Sequence, residues 1–171
     1  PAPELLDLCD KMGFIVMDEA FDMWKKEKTK YDYHLYWDEW HVKDLSDQIL
    51  RDRNHPSVFI WSVGNEIYEQ WTKDTSGSAI VRELVSIVKS IDTTRPVVTA
   101  NNFTGSGNHL LQAHALDMIG YNYHIADWVP ENVFGRWGRA PFIITESTSA
   151  LQTRGHYDMP SGSIRRWADE D

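Results

Sequence analysis

Asn54-His55-Pro56-Ser57-Val58-Phe59-Ile60-Trp61-Ser62-Val63-Gly64-Asn65-Glu66 passes from a turn, through a nearly unbroken apolar run, to an amide and a carboxylate. A strand that met water on one face would alternate apolar and polar residues. Val58 to Val63 hardly alternates, so it reads as a strand buried on both faces, the type found in a parallel sheet covered by helices. The flanking sequence agrees. Upstream, Tyr36 to Arg53 has Val42, Leu45, Ile49 and Leu50 at helical spacing, and downstream Ile80, Leu84, Ile87, Val88 and Ile91 mark another helix.

The alternation extends through the chain. Pro3 to Gly13 reads as a helix with proline in its first turn and glycine past its end, followed by an apolar strand from Phe14 to Met17. Val97-Val98-Thr99-Ala100, Met118 to Tyr123 and Phe142-Ile143-Ile144-Thr145 supply three more strands, with a short helical piece near Leu110–Ala113. Five such strands suit a doubly wound sheet or a (β/α)8 TIM barrel. No glycine-rich phosphate turn follows the first strand, as a dinucleotide fold would require. Instead the strands end in Asp18-Glu19, Asn65-Glu66, Asn101-Asn102, Tyr123-His124 and Glu146, and functional groups at successive strand ends are what a barrel's active face needs. The expected fold is therefore α/β, a partial TIM barrel over residues 1–171, because a whole barrel takes about 250 residues.

Composition narrows the function classes. Seventeen Lys and Arg against 26 Asp and Glu give a net charge of −9, and no basic block exceeds Lys25-Lys26, so no nucleic-acid partner is expected. No apolar run approaches the ~20 residues of a membrane-spanning helix, so no membrane partner is expected either. The single cysteine, Cys9, excludes an internal disulfide and suggests a buried thiol; it leaves the compartment open. Eight Trp and seven Tyr could serve as platforms for sugar rings or simply fill a core. The histidines lack zinc-site spacing, since His34 and His41 are seven apart and no His-Glu-x-x-His occurs, so no metal ligands are assigned. His55 precedes its strand and belongs to the barrel's stability face.

Glu66 and Glu146 each follow an apolar strand directly. Hydrolysis of a glycoside needs one carboxylic acid to protonate the leaving oxygen and one carboxylate to meet the anomeric carbon, so a pair converging on one barrel face could do this work. Each glutamate taken singly could equally be a helix cap or a salt-bridge partner.

The sixteen residues Arg51-Asp52-Arg53-Asn54-His55-Pro56-Ser57-Val58-Phe59-Ile60-Trp61-Ser62-Val63-Gly64-Asn65-Glu66 resemble the acid/base signature of glycoside hydrolase family 2. Pro141-Phe142-Ile143-Ile144-Thr145-Glu146 resembles its nucleophile strand, and Leu5 to Asp22 resembles the block around its third barrel strand. The resemblance implies that Glu66 is the acid/base after strand four and Glu146 the nucleophile after strand seven. Counting Phe14–Met17 as strand three agrees with that order. It implies strands three to seven of the barrel, with flanking β-sandwich domains in the parent protein.

By the same resemblance Asn65 bonds the sugar 2-hydroxyl and Tyr123 holds the nucleophile. Asp18, Trp24, Asn101 and His124 are candidate sugar contacts, and Glu19 is read as structural. The retaining reaction calls for Glu66 with a raised pKa beside a charged Glu146. The implied activity is a retaining exo-β-glycosidase, foremost a β-galactosidase, with β-glucuronidase, β-mannosidase or a non-catalytic carbohydrate-binding barrel as alternatives. No cofactor is required, although magnesium is known in some β-galactosidases of the family. Residues 1–171 by themselves are expected to be inactive, since five strands leave sheet edges exposed.

Overall fold

The computed structural model describes residues 1–71, 73, 75–123, 137, 140–147, 150–151 and 165–166. Five strands, β1 (Val16–Glu19), β2 (Val58–Asn65), β3 (Val97–Asn101), β4 (Ile119–Asn122) and β5 (Phe142–Glu146), form one sheet in the order β1-β2-β3-β4-β5. All four pairings are parallel. A doubly wound sheet reverses its direction of growth at a switch point, whereas a barrel wall adds every strand on the same side. The unbroken order is that of a barrel wall. Ala150–Leu151 (β6) and Arg165–Arg166 (β7) pair antiparallel in a separate two-stranded sheet, which the sequence reading did not anticipate.

The helices lie where the periodicity put them, with shifts that have physical causes. Helix α1 (Pro3–Met12) stops at Gly13, whose φ of 75° is the left-handed conformation that closes a helix at no side-chain cost. The following strand starts at Val16, two residues later than expected, and leaves Phe14 and Ile15 exposed. In α2 (Trp37–Asp52) the buried stripe is Trp37, His41, Leu45 and Ile49, while Val42 and Leu50 face solvent. His41 joins the stripe because its ring stacks flat on Trp37, with centroids 4.6 Å apart. Helix α3 (Ser76–Ile91) buries Ile80, Val81, Leu84, Val85 and Val88, and the four-residue α4 (His109–Gln112) is capped by Asn108. Cys9 is only half-buried.

These helical faces meet the outer face of the sheet in one core that includes Trp61, Val63 and Val97. Each large aliphatic side chain removed from water here contributes about 1.5–3 kcal/mol. At the N-terminal ends of the strands, polar bonds close the wall. Arg95 donates to the carbonyls of Val58 and His55 and to Asp92, which also accepts from the Trp61 indole at 3.0 Å. His55 pairs with Asp10 at 2.7 Å. This end is structural, which leaves the C-terminal strand ends free for chemistry.

Candidate active site

Strand β2 delivers Asn65 and Glu66, β4 delivers Asn122 and Tyr123, and β5 delivers Thr145 and Glu146. Two of these residues turn sharply at the strand end. Glu66 (φ 47°) and Tyr123 (φ 61°) are left-handed, a conformation that costs a residue with a Cβ about 1–2 kcal/mol. Both are held there by the sheet ladder. The Glu66 amide donates to Ala100 O and the Tyr123 amide to Glu146 O, each at 2.8 Å.

One amide group gathers the site. Asn122 is fully buried, and its Nδ2 lies 2.9 Å from Asn65 Oδ1, 3.0 Å from Glu66 Oε1 and 2.8 Å from Glu146 Oε1. Two oxygens that close to one nitrogen are separated by no more than about 6 Å, short of the ~6.5–9.5 Å spacing of an inverting pair. The Tyr123 hydroxyl donates to the other oxygen of Glu146. Asn65 Nδ2 donates to Asp22 Oδ1 at 2.9 Å, and Lys28 Nζ bonds both that carboxylate (3.1 Å) and the Asn65 carbonyl (2.9 Å). The structure thus brings together Asn65, Glu66, Tyr123 and Glu146.

The surroundings of Glu146 oppose its charge. Burial pushes the Glu146 carboxyl above the ordinary carboxylate range, and the Glu66 charge adds to this. The Asn122 amide and the more distant Lys28 pull it back down, against Asp22. Two carboxylates this close resist being charged together.

Three expected sugar contacts are corrected. Asp18 points away from the site: successive residues of a strand face opposite sides, and Asp18 shares the side of Val16, which packs into the helical core. Its carboxylate accepts from Gln48 of α2 at 2.8 Å. Glu19, read as structural, takes the inner side, where the Ser62 hydroxyl donates to it at 2.7 Å, and desolvation, then the charges of Asp22 and Glu146, push its carboxyl up. Trp24 offers no stacking face because it is fully buried, with Nε1 donating to Val63 O at 2.8 Å amid Phe21 and Trp37. Asn101 is buried too, its amide bonded to the carbonyls of Thr99 and Gly120 and to Asn108. His124 lies outside the described residues.

Asn122, Thr145, Asp22 and Lys28 were not singled out from the sequence. Asn122 carried a usable signal, a polar residue closing the apolar strand Ile119-Gly120-Tyr121-Asn122, as Asn65 does in β2. Lys28 sits in a loop and carried none. No magnesium ligands are assigned beside Glu66 among the described residues, where Asp22, Glu19, Glu66 and Glu146 accept from ammonium, hydroxyl and amide donors. Among the described residues, the grouping with ligand spacing is Asp7, Asp10 and His55. It adjoins Ser57 at the start of β2, about 25 Å of strand away from Glu66.

Comparison with known proteins follows the same lines. The family model for glycosyl hydrolases family 2, TIM barrel domain, matches residues 1–166. A β-galactosidase of Bacteroides ovatus, BoGH2A, is 52% identical over an alignment covering 98% of this chain and 23% of that protein. The crystal structure of a glycosyl hydrolase family 2 member from Bacteroides cellulosilyticus superposes with a TM-score of 0.77 at 39% identity, covering 85% of this chain and 18% of that one. A family 2 β-galacturonidase from Eisenbergiella tayi, bound to galacturonate, aligns at 25% identity and a TM-score of 0.68, over 93% of this chain and 29% of its own. The chain thus spans about a quarter of the length of such relatives. A sheet that grows in one direction, with its polar side chains gathered at the C-terminal strand ends, and a family match running nearly end to end lead to one conclusion: the chain belongs to glycosyl hydrolase family 2 and forms part of that family's TIM barrel.

Proposed function

We propose that this chain carries the catalytic carboxylates of a retaining exo-β-glycosidase, with Glu146 as nucleophile and Glu66 as acid/base, acting on terminal β-galactosides. The observation that carries the reading is the approach of both carboxylates to the single nitrogen of Asn122. That spacing favours direct attack over activation of an intervening water, which needs carboxyls ~6.5–9.5 Å apart. In the first step a Glu146 oxygen bonds the anomeric carbon as the glycosidic bond breaks, and the Glu66 proton passes to the leaving oxygen. In the second, a water oxygen attacks the same carbon, its proton goes to Glu66, and Glu146 departs as carboxylate.

Charge supports a neutral sugar. The described groups acting on Glu146 and Glu19 comprise the carboxylates of Asp22, Glu66 and Glu146 itself, against one ammonium, Lys28. A uronate would meet repulsion there, which a galactoside avoids. The likeness to BoGH2A, a β-galactosidase, points the same way. No cofactor enters the steps, and β-sandwich domains are expected to flank the barrel in the parent protein.

The test is to treat the full-length protein with a 2-deoxy-2-fluoro-galactoside and map the covalent adduct by peptide mass spectrometry. The adduct is expected on Glu146; an adduct elsewhere, or none with any fluoro-sugar, overturns the assignment. Nitrophenyl galactoside, glucuronide and mannoside compared in parallel then test the substrate, with galactoside expected to be turned over fastest.

A further inference from the structure

The geometry points to Asn122 as a positioning residue whose single NH2 group serves both carboxylates and moves its hydrogen bond to whichever of them is charged. The inference rests on the glycosidase reading above. Asn122 Nδ2 has two hydrogens and three acceptors within 3.0 Å: Asn65, Glu66 and Glu146. When Glu66 holds the proton it is the weaker acceptor, so the two hydrogens go to Asn65 and Glu146 and favour the ionised nucleophile. Once Glu146 is esterified and Glu66 is a carboxylate, the preference reverses. The planar NH2 turns with its carboxamide, so a small rotation of the Asn122 side chain shifts the shared hydrogen from one carboxylate toward the other.

The direction of the amide is imposed from both ends. A carboxylate only accepts, so Asp22, held by Lys28, obliges Asn65 to turn its NH2 outward at 2.9 Å and its oxygen toward Asn122. Asn122 must then present its own NH2, and its Oδ1 accepts from the Thr145 hydroxyl at 2.5 Å. Thr145 directly precedes Glu146 on β5, and Asn122 pairs with Glu146 across the ladder. The donor and one of its acceptors are therefore fixed to the same pair of strands. Burial of Glu146 and the Glu66 charge both oppose its ionisation, while the Asn122 bond favours it.

The experiment compares pH–rate profiles of kcat/KM for the full-length wild type with those of Asn122→Leu, Asn122→Asp and Thr145→Val, alongside thermal unfolding. Loss of a hydrogen bond to a charged acceptor should lower kcat/KM about 10- to 100-fold at neutral pH in Asn122→Leu. It should also move the acid limb to higher pH, because Glu146 then ionises less readily. Asn122→Asp keeps the shape, removes the donor and adds a negative charge, so its limb should move further. Thr145→Val should show the same shift, smaller, and supplies the answer if the Asn122 variants fail to fold. Folded Asn122 variants with the wild-type acid limb, or a loss equal at every pH, overturn the proposal while leaving the glycosidase reading in place. No turnover and no fluoro-sugar adduct in the wild type overturns both.

Discussion

Asp18→Asn should stabilise the protein at neutral pH, because Asp18 is an acid kept under conditions that suit its protonated form. It is 2% exposed, and its Oδ2 finds no donor among the described residues. Burial first, then the carboxyl of Asp52 beside it, raises its pKa from 3.8 to about 6. Asp52 is the partner that stays charged: although burial opposes ionisation, Arg51 grips both its oxygens, at 2.7 and 2.5 Å, and holds it below the usual range. A folded pKa above the unfolded one means that the fold binds the proton more tightly. The stability this supplies is complete below about pH 4 and is lost as pH rises to about 6. A shift of about two units at ~1.4 kcal/mol each sets a ceiling near 3 kcal/mol. Sharing of one proton with Asp52 and relaxation of the site reduce this to about 1–2 kcal/mol. Asparagine can accept from Gln48 with its oxygen and donate to Asp52 with its nitrogen. Thermal unfolding of the full-length variant followed by tryptophan fluorescence should therefore show equal stability near pH 4, with the variant gaining between pH 4 and 6 and holding its lead above that. A gap that does not vary with pH, or a variant less stable at pH 7 than the wild type, would refute the shared-proton account.

Three further outcomes are expected. Trp24→Phe should cost about 2–3 kcal/mol by leaving Val63 O without its donor and opening space in the core, yet change KM less than about twofold; a raised KM with unchanged thermal stability would restore the stacking role. Gly120→Ala should cost at least ~2 kcal/mol or abolish soluble expression, since its Cβ would lie 2.5 Å from Thr99 O, a backbone atom of the adjoining strand with little room to yield; a variant of wild-type melting temperature would count against this packing. In the wild type, kcat/KM should decline on the acid side at a pH above the ordinary glutamate value of 4.5, because the proposed nucleophile, Glu146, must be ionised to attack and its carboxyl is pushed up; a limb at or below 4.5 would contradict that environment.

The strands and the two glutamates were legible because their signal is local. An apolar run that ends in a polar pair is visible without knowing its neighbours, and β2 and β5 are of this kind. Asp18 was taken for a sugar contact for a reason equally local: moving a strand's phase by one residue exchanges its faces, and β1 is only four residues long. Trp24 and Asn101 depend on partners 39 and 19 positions away, which no window of sequence contains. The same holds for the route from Thr145 through Asn122 and Asn65 to Asp22. Its members lie on three strands and a loop, and it exists only once the sheet has closed around it.

The left-handed backbone at Glu66 and Tyr123 has a consequence for directed evolution. Glycine adopts that conformation freely, so Glu66→Gly and Tyr123→Gly relax the backbone there, and Glu66→Gly also separates a pair of like charges. On the proposed roles of Glu66 and Tyr123, a library selected for heat endurance alone would favour glycine at these two positions at the expense of turnover. Selection for durability must therefore be coupled to turnover in every round.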